Sequence, residues 1–163
     1  MSEILTSSIQ ATDVDKKIYK LFDLFHDHEG DTYTTSFEVP NLHDQIMTYD
    51  NGNPLEFNIG LIVGSSGSGK SSILKQFGEE EKLTWYENRS RADLARKLKH
   101  GAVIDEFTSV VNRNVAKSCS ASVSKFIRKQ GLSHIVFASC HDDIIEWLEP
   151  DWVYCTDTQE LKR

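Results

Sequence analysis

Apolar residues along this chain recur at two spacings, and the switches between them mark the elements. In 13–26 (DVDKKIYKLFDLFH) they fall at Val14, Ile18, Leu21, Phe22 and Phe25, the three-to-four residue period of an amphipathic helix, with Asp13 placed to cap its start. From 31 to 39 the run is rich in β-branched and aromatic residues, which predicts a strand ended by Pro40. A turn at Asn51-Gly52-Asn53-Pro54 leads through LEFNI into Ile59–Val63, short and apolar throughout, as a buried strand is. The pattern then predicts a helix beginning over 71–77, a helix over 90–99 with Leu94 and Leu98 on one face, and a buried strand over 102–104. Beyond these it predicts a long helix over 114–130 closed by Gly131, and an apolar strand over 135–138. Short apolar strands alternating with helices predict an α/β fold, a mostly parallel sheet flanked by helices.

Between the strand ending at Val63 and the helix that follows lies Gly64-Ser65-Ser66-Gly67-Ser68-Gly69-Lys70-Ser71, which fits G-x-x-x-x-G-K-[ST] at every position. Chance produces this pattern in roughly one chain of this length in a hundred or two, given average Gly usage, and the strand-loop-helix setting lowers that further. Glycines let the backbone curl so that successive N–H groups point inward, and the following helix adds the positive end of its dipole. Lys70 is then expected between the β- and γ-phosphates of a nucleoside triphosphate, and Ser71 on Mg2+, with Ser72 completing the binding stretch. A flexible Gly/Ser linker accounts for neither the strand nor the Lys-Ser pair.

Two further groups fall at predicted strand ends. Asp105 and Glu106 follow the strand over 102–104, where ligands of open α/β sheets bind. There an aspartate can orient magnesium and the next glutamate can polarise an attacking water. His141 follows the strand over 135–138 and shares that edge if the strands are neighbours.

Composition narrows the setting. At 163 residues, 39% hydrophobic and 26% charged, the chain has the size of one domain with a real core, with an N-terminal helix and strand region over 1–54 and a core over 55–158. The formal charge of −7 argues against broad attraction to nucleic acid. The basic cluster Arg89, Arg91, Arg96, Lys97, Lys99 and His100 reads as a solvated helix face. Cys119, Cys140 and Cys155, odd in number and without metal-like spacing, read as reduced thiols. No stretch approaches 18 apolar residues and the start of the chain lacks a secretory pattern, so no integral membrane segment is expected and the cytoplasm is the expected location.

Taken together, these motifs resemble the nucleotide-binding domain of ABC-type ATPases. AVIDEFTSVVN (102–112) is similar to that family's Walker B motif and D-loop, with Asn112 where the family usually has Asp, and SCHDD (139–143) to its switch segment. ADLARKL (92–98) is similar to the helix that runs toward Walker B, and the wording DEFTSVVNRNVAKSCS to ATPase domains fused to acetyltransferase domains in bacterial and phage proteins. The resemblance covers 55 to about 158. It implies a P-loop NTPase core of ABC type, ATP and Mg2+ as ligands, Asp105 with Ser71 at the metal, Glu106 as catalytic base, His141 at the γ-phosphate, and an aromatic on the adenine, for which Tyr33, Phe37 and Tyr49 are candidates.

The departure is one of length. Asp105 follows Lys70 by only 35 residues, whereas the family generally spends on the order of a hundred there, the size of a lobe carrying the capping signature motif. Residues 85–90 cross directly from a short strand to the next helix, leaving the domain reduced. Without the signature a twin cannot cap the γ-phosphate, so the expectation is an ATP-binding protein with weak or slow hydrolysis, acting as a homodimer or with a separate partner protein. The alternatives are a small nucleoside or nucleotide kinase on the same loop and a non-catalytic, nucleotide-gated interaction module or scaffold.

Overall fold

The computed structural model describes residues 2–10, 32–47, 55–82, 97–108 and 111–163. The predicted helix over 13–26, the turn at 51–54, Tyr49, the junction over 85–90, Ser109, Val110 and all but the end of the helix over 90–99 lie outside them, as do the side chains of Tyr33 and Phe37.

The chain divides into two compact units, Met1–Pro40 and Asn41–Arg163. In the first, β1 (Ser2–Gln10) pairs antiparallel with β2 (Thr32–Pro40), in a register running from Ser2 opposite Pro40 to Gln10 opposite Thr32. β2 is the strand predicted over 31–39. β1 was not predicted, because Ile4, Leu5 and Ile9 in SEILTSSIQ keep no alternation.

The second unit begins with α1 (Leu42–Met47) and continues through β3 (Ile59–Val63), α2 (Lys70–Leu74) and a 3-10 turn over Lys75–Phe77. Then come β4 (Glu80–Lys82), β5 (Val103–Asp105), α3 (Arg113–Gln130), β6 (Ile135–Ser139), α4 (Ile145–Leu148), β7 (Trp152–Cys155) and β8 (Glu160–Lys162). The sheet order is β4-β5-β6-β3-β7-β8, parallel throughout except for β8, which returns antiparallel to β7. It is a mixed, mostly parallel six-stranded sheet with flanking helices, an α/β fold. β3 and β6, its central pair, are buried at every position, which is why both read as unbroken apolar runs.

Each face of the sheet has its own core. On one, Ile59, Leu61, Ile135 and Phe137 pack with Val123 and Ile127 of α3 and Leu148 of α4. The α3 residues Ala116, Ser120, Val123, Ser124 and Ile127 recur at helical spacing and are buried. Asn112 caps that helix by accepting the Val115 N–H at 3.0 Å. On the other face the Trp152 indole, 1% exposed, stacks on Phe77 at 5.7 Å and meets Phe57 edge-on at 5.5 Å. Gly60 makes room for it: a Cβ there would lie 2.1 Å from the indole.

The order of strands positions the site. The chain leaves β3 for β4 three places away, works back through β5 to β6 at one flank of β3, then crosses to β7 at the other. The connections therefore diverge around β3 and β6, and in open α/β sheets the crevice at such a reversal, outside the strands' carboxyl ends, is where ligands bind.

Candidate functional site

Three strand ends meet at this crevice: Val63 of β3, Ser139 of β6 and Asp105 of β5, with β6 lying between the other two. Residues 64–72, Asp105 with Glu106, and His141 thus issue from neighbouring strands at one sheet edge. The loop leaves β3 at Gly64, turns through a Ser68 N–H to Ser65 C=O bond of 3.2 Å, and enters α2 at Gly69, whose C=O accepts the first helical bond from the Ile73 N–H at 3.1 Å. Gly67 and Gly69 take left-handed φ of 76° and 90°. Ser65 and Ser66 are exposed, and Ser72, in the first turn of α2, is half-buried.

Lys70 folds back across the loop. Its Nζ donates to the Gly64 C=O at 2.8 Å and to the Ser65 C=O at 2.6 Å. An ammonium has three donors, so this pair of carbonyls fixes its position and leaves one donor for an anion. At the next residue of the same helix, Ser71 Oγ donates to Asp105 Oδ2 at 2.7 Å, and the other carboxylate oxygen accepts the Glu106 N–H at 2.7 Å. A hydroxyl and a carboxylate, both hard oxygen donors, suit Mg2+, which keeps water and substrate phosphates as its remaining ligands. Among the described residues no group of three or more His, Cys, Asp or Glu side chains is placed to hold a metal by protein ligands alone.

The turn after β5 is strained. Glu106 and Thr108 both take positive φ, 51° and 70°, a conformation that costs a non-glycine residue about 1–3 kcal/mol and concentrates at functional sites. Between them Phe107 is buried against Phe137, and its N–H donates to the Ala138 C=O at 2.9 Å, which anchors the turn to β6. The side chain of Glu106 is left on the exposed side. Thr108 Oγ1 lies 3.2 Å from Ser139 Oγ, which in turn accepts the His141 N–H at 3.1 Å. Ser139 therefore links the backbone of His141 to the turn that carries Glu106.

The His141 imidazole is half-buried. Burial, and next the Arg113 guanidinium, hold its pKa below the ordinary 6.5, against a smaller opposing pull from Asp142. Arg113 is itself paired with Asp143 through Nε at 2.9 Å. The neutral imidazole that results has one N–H donor and one acceptor nitrogen.

Several residues at the site carry contacts to which the sequence assigned no role of their own, Ser139, Thr108 and Arg113 among them, and so does the turn after β7. There Asp157 accepts both the N–H and the hydroxyl of Ser65, at 2.8 and 2.7 Å, and Thr156 Oγ1 lies 2.5 Å from Ser68 Oγ. These partners stand about ninety residues from the loop, beyond the reach of any local pattern.

No protein-family model, curated protein or solved structure matches the chain. Among the described residues no helix is long and apolar enough to cross a membrane.

Proposed function

We propose that this chain is a reduced P-loop nucleotide-binding domain of ABC type, which takes Mg2+ and ATP or a related nucleoside triphosphate at residues 64–72. The observation that carries the reading is the pair of contacts made by adjacent residues, Lys70 to the Gly64 and Ser65 carbonyls and Ser71 to Asp105. They set a fixed cation and a Mg2+-compatible oxygen pair side by side at the sheet's carboxyl edge. A triphosphate supplies the two things this arrangement lacks, anionic oxygens for the ammonium and further oxygen ligands for the metal. Bound there, Mg2+ offsets phosphate charge. Lys70 and the loop amides hold the phosphates, Ser71 and Asp105 the metal. In this reading the neutral His141 offers its N–H to the terminal phosphate, and Glu106 acts as the base toward an attacking water.

The test is a titration of a fluorescent ATP analogue, with Mg2+, against wild type and Lys70→Ala. The variant is expected to bind at least about tenfold more weakly, the loss of a charge-assisted contact. Equal affinity removes the assignment.

A further inference from the structure

We infer that Asp157, on the turn between β7 and β8, is a positioning residue for the Lys70 ammonium; the inference rests on the nucleotide reading above and deepens it. Ser65 is gripped at both ends of its backbone. Its N–H and its hydroxyl donate to the two carboxylate oxygens of Asp157 at 2.8 and 2.7 Å, while its C=O accepts from Lys70 Nζ at 2.6 Å. Because the Ser65 N–H shares a planar peptide unit with the Gly64 C=O, the two-point attachment to a carboxylate fixes the direction of the Gly64 carbonyl, which accepts from Lys70 Nζ at 2.8 Å. Without it, the exposed stretch between Gly64 and Gly67 has no partner for the Ser65 amide but water, and the Gly64 carbonyl loses its direction, whereas the Ser65 carbonyl is still held by the Ser68 N–H.

The turn is built to present that carboxylate. Thr156 prolongs the β7–β3 pairing through its N–H to the Val63 C=O at 2.9 Å and touches Ser68 through its hydroxyl. The approach is close enough that a Cβ on Gly64 would fall 1.9 Å from Thr156 Oγ1, so the glycine at this position serves the turn as well as the loop. Hydrogen bonding from Thr158 holds the Cys155 thiol pKa below its ordinary value. The Asp157 carboxyl is likewise held below its ordinary range, first by the Ser65 hydroxyl and N–H and also by the nearby Lys70 charge. The turn and the loop thus act as one unit, in which the Asp157 carboxylate acts on the ammonium through the Gly64–Ser65 backbone.

The experiment is a double-mutant cycle read with the fluorescent ATP analogue and Mg2+. Asp157→Ala is expected to weaken binding about tenfold, and Asp157→Asn, which keeps one acceptor, about threefold. In a Lys70→Ala background, removing Asp157 is expected to change affinity by less than about twofold, since the group it positions is gone. Wild-type affinity in Asp157→Ala, with Lys70→Ala impaired, overturns the inference and leaves the nucleotide site standing. An equal loss in both backgrounds also overturns it, because a general weakening of the fold acts without regard to Lys70. Unimpaired binding by Lys70→Ala removes site and inference together. Where Asp157→Ala fails to fold, Asp157→Asn in both backgrounds is judged by the same coupling.

Discussion

His141 has its cation disfavoured twice, by burial and by the Arg113 guanidinium, and this decides what the residue offers at neutral pH. Its NMR titration midpoint is expected below 6.5 in the folded chain. Arg113→Ala should raise that midpoint yet leave it below 6.5, because burial is the larger cause; a midpoint that does not move would contradict the role given to Arg113. Because the folded value is lowered, the unfolded chain binds the proton more readily. The stability linked to His141 is therefore complete above pH 6.5 and is lost as pH falls through the folded midpoint. Among single residues, those of the loop and the three strand-end groups stand out in the sequence because the proposed nucleotide chemistry demands fixed residue types at fixed spacing. Asp157 does not. Its role comes from where a distant turn is folded, and an aspartate in a turn is ordinary.

At the level of elements, the legible ones announce themselves locally. β3 and β6 are apolar runs because both of their faces are covered, and α3 combines helical spacing with a capping Asn112 and a terminal Gly131. The helix after the loop was expected over 71–77 and is an α-helix only as far as Leu74, tightening to 3-10 over Lys75–Phe77. β4, only three residues and all of them charged, lies at the edge of the sheet, where no apolar pattern is required. β7 was hidden for another reason. It alternates between buried and half-buried positions over just four residues, and what fixes it is its pairing with β3, Gly60 opposite Trp152. The indole over that glycine is a contact between elements, invisible within either. The β7–β8 turn, and with it the hold on Ser65, follows from that pairing.

In the whole molecule, strand order brings loop, carboxylates and histidine to one edge, yet the sequence carries no segment resembling the cap that completes the site in ABC-type domains. Turnover should therefore be slow: phosphate release from ATP by wild type is expected within about twofold of Glu106→Gln, because an attacking water left open to solvent gains little from its base. A wild-type rate a hundredfold above that variant would show that the site is completed some other way. The central claim is the grip on the triphosphate, and a crystal structure with Mg2+ and a non-hydrolysable ATP analogue tests it most directly. The phosphates are expected within the curve of residues 64–71, touching Lys70 Nζ, with the metal at Ser71 and Asp105. Nucleotide bound elsewhere, or a loop left empty at saturating ligand, would contradict that claim.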